Sequence, residues 1–183
     1  MIMIMMKIIK ICILSYIHPS IPHIDVYTGG ILTKKAYSVE HIIPRRMFVD
    51  KSHANDPINL VPCDIKVNRL RSDYKYGTDP NLLFYPSENI PILNAKKEFA
   101  GSMNRKRRIF YPSVSADKGL ISRSIIGMLY KYPYLYRNLN DIVDSPNILF
   151  EWSLYPPSTF EIERKDIIEN EISVTEKIKK KKN

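Results

Sequence analysis

The apolar and polar positions of the chain fall into short segments. From Tyr37 to Ile43, β-branched and aromatic residues accumulate and stop at Pro44, which predicts a short strand. Glu40 and His41 are neighbours there, and in a regular strand they would face opposite sides. They can serve one side only if the strand ends or bends, as a proline at 44 favours. Pro57 to Val61 predicts a second short extended piece. From Pro62 or Cys63 a helix is expected to about Tyr74, with proline in its first turn and Asp64 at the positive end of its dipole. On that helix Asp64, Asn68 and Arg71 share one face, while Ile65, Val67 and Leu70 supply the packing face. The predicted order is strand, loop, strand, helix.

Downstream, Leu120, Ile121, Ser124, Ile125, Met128 and Leu129 recur at helical spacing, so a core helix is expected over Asp117–Tyr132. Ser145-Pro146 reads as N-cap and N1 of a helix through Leu154. Ser158-x-x-Glu161 reads as a capping box opening a helix to about Ile172. Asp25 to Gly30 is a strand end and glycine turn, and Leu82 to Tyr85 is a strand or packing anchor in a proline- and asparagine-rich stretch. The fold class expected is α+β.

A length of 183 residues fits one domain with a sizeable core. The net charge of +9 favours polyanionic partners. Two cysteines, Cys12 and Cys63, exclude a disulfide framework and a four-cysteine zinc site. Cys63 reads as a small buried residue. Residues 1–17 are strongly apolar but carry Lys7 and Lys10 and lack a small-residue cleavage site. They read equally as a divergent signal or anchor and as a packing helix. The first reading implies a secreted or periplasm-like location, the second an intracellular one. The expected organisation is an apolar segment over 1–22, one domain over 23–175, and a basic tail over 176–183.

Glu40, His41, Asn59 and Asn68 supply one carboxylate, one imidazole and two carboxamides. Oxygen donors of this kind suit Mg²⁺, which keeps most of its waters and takes few protein ligands. A histidine left off the metal can take a proton from a water attacking a phosphodiester. His53 and Asp56 fall in the loop between the halves of this set. For His53 a solvated loop position is favoured over a ligand, and for Asp56-Pro57 turn chemistry over metal binding. Asn104 to Arg108, NRKRR, is either a solvated charge cluster or a phosphate-contacting rim.

These residues resemble the endonuclease I family of the ββα-metal (His-Me finger) nucleases. The family's E-H-[VI]-[VI]-P is matched by Glu40 to Pro44. Its N-L-x-P-x4-V-N-x2-R is matched by Asn59, Leu60, Pro62, Val67, Asn68 and Arg71. Phe110-Tyr111-Pro112, then Lys118-Gly119 with Ser122-Arg123, match a later block, and Trp152, Pro156, Glu161 and Arg164 echo the closing one. Two departures stand out. Only 17 residues separate His41 from Asn59, where the family carries a long insertion with an arginine that helps the leaving phosphate. Asn170-Glu171-Ile172 stands where the family has a Q-G-N-rich motif.

The resemblance implies an α+β domain with a ββα-metal core and a weakly specific endonuclease acting on DNA, with RNA an alternative. It implies His41 as general base, Glu40 and Asn68 as ligands of one Mg²⁺ (Mn²⁺ or Ca²⁺ as substitutes), and Asn59 as the brace of the loop carrying the base. Asp64 is the second-choice ligand. Arg45 or Arg46 replaces the missing arginine. Arg71, Arg105, Lys106, Arg107 and Arg108 are the expected nucleic-acid contacts, and Arg123 is expected either as a further phosphate contact or as a buried orienting residue. Products carry 5′-phosphates, and the protein is expected to act as a monomer without an obligate protein partner. Two rival classes remain: a nucleic-acid-binding relative without catalysis, and a membrane-tethered or structural protein in which residues 1–17 are the functional element. Within the nucleases, a sequence-specific homing or restriction type is the alternative.

Overall fold

A computed structural model describes residues 23–78, 88–113, 116–163 and 166. The apolar segment 1–17, the Leu82–Tyr85 anchor, Arg164, the helix expected beyond 163 and the basic tail lie outside the described residues. Among those described, the fold is α+β. Strands β1 (Tyr37–His41) and β2 (Leu60–Asp64) form an antiparallel pair and are followed at once by helix α1 (Ile65–Arg71). A second sheet has the order β3-β6-β5-β4, from β3 (Lys75–Tyr76), β4 (Ile90–Leu93), β5 (Phe99–Asn104) and β6 (Ile109–Pro112). Its β3–β6 pair is parallel, and its other pairs are antiparallel. Helices α2 (Lys118–Lys131), α3 (Leu139–Ile142) and α4 (Asn147–Ser153) complete the domain. No described helix is long and apolar enough to cross a membrane.

The order strand, loop, strand, helix holds, but the second strand and the helix both start later than the apolar pattern predicts. Pro57–Asn59 is a 3-10 turn rather than a strand, opened by the Asp56 side chain accepting from Ile58 N. Pro62 and Cys63 lie in β2, opposite Val39 and Ser38. Cross-strand pairing outweighs the helix-start preference of proline there. Pro62 lacks an N–H but still uses its carbonyl, which accepts from Val26 N. Asp64 becomes the N-cap, its Oδ1 accepting from Lys66 N and Val67 N. The helix stops at Arg71 because Ser72 turns into the left-handed region, with φ 52°.

One core joins the parts. Val67 of α1, Ile42 and Ile43 after β1, Phe110 of β6 and Trp152 of α4 are buried together with Ile121 and Ile125 of α2. Cys63 is buried there as well. Helix α2 follows its predicted pattern closely, and Ser122 Oγ donates to Leu149 O of α4 at 2.5 Å. Helix α4 begins one residue later than expected, at Asn147.

Arg123 belongs to this packing, and none of its hydrogen bonds reaches the β1–α1 region. Its Nε and Nη2 donate to the two carboxylate oxygens of Glu161, and its Nη1 to the carbonyls of Ser153 and Tyr155. A Cβ at Gly119 would lie 2.5 Å from Arg123 Nη2, so a glycine four residues earlier makes room for the guanidinium. The capping box therefore closes on one side only. Ser158 Oγ accepts from Glu161 N, while the Glu161 carboxylate is held by Arg123.

Helix α1 is tied to β1 by two side chains. Asn68 Nδ2 donates to Ser38 Oγ and Val39 O. Arg71, 1% exposed, donates to Glu40, His41 O and Ile42 O. Truncation of one member of a buried pair leaves the other charged and unpartnered. Arg71→Met is therefore expected to lower the free energy of unfolding by about 3–5 kcal/mol, read from urea denaturation. Glu40→Gln/Arg71→Met should recover a substantial part of that loss. A single variant as stable as the wild type would contradict this role.

Candidate active site and nucleic-acid surface

Glu40, His41, Asn68 and Arg71 line one cavity of about 280 Å3, together with Pro44, Arg45, Arg46, Ser72 and Asp73. Adjacent strand residues reach the same cavity because β1 ends at His41 and the chain turns before Pro44. Asn59 builds that turn. Its Oδ1 accepts from Ile43 N at 2.7 Å, and its Nδ2 donates to the carbonyls of Ile43 and Ala54. Its backbone carbonyl accepts from Ile42 N. The side chain is fully buried, so all these bonds form away from water, where each is costly to lose.

Glu40 is 1% exposed, and its electrostatic surroundings are specific. Oε1 accepts from Arg71 Nη1 at 2.5 Å and from Tyr27 OH at 3.1 Å. Tyr27 OH lies 2.8 Å from Tyr76 OH. The Tyr27 proton is directed at Glu40, so Tyr76 is the donor in that second bond. Burial raises the Glu40 carboxyl above its ordinary pKa, and Arg71 and Tyr27 oppose the rise. Arg71 also stacks over the Tyr76 ring at 4.5 Å. Its place beneath Glu40 corrects the expectation of a nucleic-acid contact: the guanidinium holds the carboxylate and the turn.

Asn68 offers the cavity its carboxamide oxygen. Val39 O and Ser38 Oγ take the Asn68 amide nitrogen, and Val39 O can only accept, so the carboxamide orientation is settled. Asn68 Oδ1 is therefore the atom left to the cavity side. One carboxamide oxygen and one carboxylate on the same cavity fit a hard cation that retains most of its water. Asp64 does not belong to this set. Its Oδ1 caps α1, its Oδ2 accepts from Ala95 N, and it does not line the cavity. Among the described residues no group of three or more His, Cys, Asp or Glu is arranged to hold a metal ion.

His41 is half-buried, and burial lowers its proton affinity below the ordinary histidine value, with Arg45 and Arg71 adding to the effect. The ring is therefore neutral near neutral pH. Asn55 Oδ1, 3.4 Å from Nε2, opposes the shift by accepting from that nitrogen. A proton on Nε2 leaves Nδ1 as the basic atom.

The basic residues divide. Arg45 and Arg46 are exposed in the 3-10 turn after Pro44 and line the cavity. Arg46 Nε is paired with Asp73 Oδ2 at 2.6 Å, whereas Arg45 is in no ion pair among the described residues. Asn104 to Arg108 closes the β5–β6 hairpin. Arg107 and Arg108 line a second cavity that shares Arg46 and Asp73 with the first. Arg105 and Lys106 are exposed at the tip and line neither cavity. His53 is partly exposed and packs against two tyrosines. It stacks on Tyr132 at 4.3 Å and lies 3.0 Å from Tyr134 OH through Nδ1. Asp56 does turn chemistry, and also accepts from Lys131 and Tyr132.

Three residues of the site carry no local sequence signal: Tyr27 on Glu40, Asn55 on His41, and Asp73 between two arginines. Their partners lie 13, 14 and up to 35 residues away.

No curated protein matches this chain. The family model described as Endonuclease I matches residues 21–173, which include every residue lining the two cavities. With an α+β fold, a ββα unit carrying Glu40, His41 and Asn68, and a match over most of its length, the chain belongs to the endonuclease I family, a family of nucleases acting on nucleic acid.

Proposed function

We propose that the protein is a metal-dependent endonuclease of low sequence preference that hydrolyses phosphodiester bonds in DNA. The observation that carries this reading is the convergence of Glu40, His41 and the Asn68 carboxamide on one cavity, with Arg71 fastening the turn between them. Glu40 and Asn68 would hold one hydrated Mg²⁺, which would supply positive charge to stabilise the phosphate as charge develops on it. His41 Nδ1 takes a proton from the attacking water, a neutral imidazole being the form that can do so. The water oxygen bonds to phosphorus in line with the leaving group, the bond to the 3′ oxygen breaks, and the product keeps a 5′-phosphate. Asn55 positions the base by holding Nε2–H. Asn59 keeps the turn in place and touches no substrate. Arg45, exposed on the cavity rim, is the cation assigned to the leaving phosphate, with Arg46 on a neighbouring one.

Plasmid nicking tests the reading. Supercoiled plasmid should be nicked with Mg²⁺ and left intact with EDTA, and His41→Ala should lose at least ~10²-fold in rate, the scale of a lost general base. Normal nicking by purified His41→Ala would falsify the assignment of the base. Binding of DNA by that variant should change little.

Glu40→Ala and Asn68→Ala should each raise the Mg²⁺ concentration needed for half activity. Asp64→Ala should leave that concentration nearly unchanged while costing about 1 kcal/mol in stability through the lost cap. The opposite pattern would move the metal from Asn68 to the start of α1. Cleavage maps on unrelated DNA fragments should show broad cutting, because phosphate contacts carry no sequence code. One sharp site shared across fragments would point instead to a sequence-specific nuclease.

A further inference from the structure

The cavity that holds His41 continues past Arg46 and Asp73 into a second one, lined also by Lys75, Arg107, Arg108 and Asp141. Few of the cations along this path are free. Asp73 lies between Arg46 Nε, at 2.6 Å, and Arg108 Nη2. Asp144 lies between Lys75 Nζ, at 2.8 Å, and Arg107 Nη2, at 3.2 Å. Each carboxylate thus joins two cations drawn from separate parts of the chain. Arg46 comes from the turn after β1 and Lys75 from β3, while Arg107 and Arg108 come from the β5–β6 hairpin. Arg108 is held from another side by the Tyr74 ring, 5.0 Å from its guanidinium carbon, and its carbonyl accepts from Lys75 N.

At Asp73 two oxygens of one small anion face two guanidinium groups, and at Asp144 a guanidinium and an ammonium, which is also how a phosphate sits between basic side chains. All four cations are 25–58% exposed in their side chains, so these pairs are solvated and worth little as stabilisers of the fold. They are correspondingly easy to exchange. We infer that this groove seats the phosphate backbone of the nucleic acid leading away from the cut, and that Asp73 and Asp144 act as internal counter-ions. They hold the cations at phosphate-binding spacing in the free protein and yield them to substrate phosphates on binding. The inference rests on the nuclease reading above for its choice of partner. It goes beyond that reading in assigning the path of the backbone and a role to two carboxylates that would ordinarily count against nucleic-acid binding.

The test is equilibrium binding of a short duplex in EDTA, over a range of NaCl concentrations, so that no cleavage enters the readout. Asp73→Asn removes the counter-ion and raises the net charge by one. Glu163→Gln raises it by the same amount from an exposed position that lines neither cavity. Asp73→Asn should bind roughly three- to tenfold more tightly than the wild type at low salt, the scale of one or two released surface ion pairs. Its logarithmic salt slope should steepen, because the wild-type Asp73 carboxylate, once its arginines turn to phosphates, takes up a cation from solution that the variant does not. Glu163→Gln should change affinity less than about twofold, a long-range effect that salt screens. Asp144→Asn gives an independent arm with the same expected direction, which keeps the test decisive if either variant loses its fold by circular dichroism. Arg108→Ala should weaken binding and flatten the slope. Asp73→Asn and Asp144→Asn indistinguishable from Glu163→Gln would overturn the inference, as would weaker binding by either folded variant. Mg²⁺-dependent nicking by the wild type is unaffected by that outcome, so the groove can fail while the nuclease reading stands.

Discussion

The buried pair of Glu40 and Arg71 is the interaction on which the site depends. A carboxylate and a guanidinium, each 1% exposed, have both lost their hydration, and attraction between them offsets that loss only when the remaining donors and acceptors are met. Here they largely are. Arg71 donates to Glu40, to His41 O and to Ile42 O, and Tyr27 adds a second donor to the same Glu40 oxygen. One side chain at the end of α1 thereby fixes both the carboxylate and the backbone turn that brings His41 beside it. Asn59 holds the next residue of that turn from the other side, through the backbone N–H and carbonyl of Ile43. The positions of the His41 imidazole and the Glu40 carboxylate therefore depend on packing between helix and strand, and side chains held by regular elements are placed more precisely than side chains on loops.

The division of labour among the polar side chains follows from how many of their atoms the fold already uses. Asp64 has both oxygens engaged by backbone N–H groups, so it is an anchor of α1. Asn68 has its nitrogen engaged by β1, and its oxygen remains for the cavity. Arg71 and Arg123 are both arginines of family motifs, yet both serve internal carboxylates, at Glu40 and Glu161. The cations that line the two cavities and stay exposed are instead Arg45 and Arg46 after Pro44 and Arg107 and Arg108 on the hairpin. The short loop between His41 and Asn59 thus keeps two arginines at the cavity rim even without the longer insertion.

Much of this was legible in the sequence where the signal is local. Pro44 marks the end of β1, and that ending lets Glu40 and His41 face one cavity. The 3.6-residue pattern of Leu120 to Leu129 marks α2, and the basic run marks a surface feature. The misreadings share a cause in contacts made at a distance. Pro62 resembles a helix start until Val39 pairs with it across the strand. Arg71 lies on the same helix face as Asn68 and looks like a phosphate contact, because its true partner is 31 residues away. Strand β4 lies in a stretch whose prolines and asparagines argue for loops, and β5 follows just after it. Gly101, with φ 147° and a would-be Cβ 2.3 Å from Tyr111 O, admits the close hairpin there in a way composition does not announce.

The proposed mechanism would place a single divalent ion between Glu40 and Asn68, within reach of the phosphate that a water attacks with His41 as its base. Anomalous diffraction from crystals of the His41→Ala protein bound to uncleaved DNA and soaked in Mn²⁺ tests it most directly. One anomalous peak is expected, bonded to a Glu40 carboxylate oxygen and to Asn68 Oδ1, with a phosphate oxygen of the DNA in its coordination sphere. A peak at Asp64 or on the hairpin groove, with none between Glu40 and Asn68, would contradict the account.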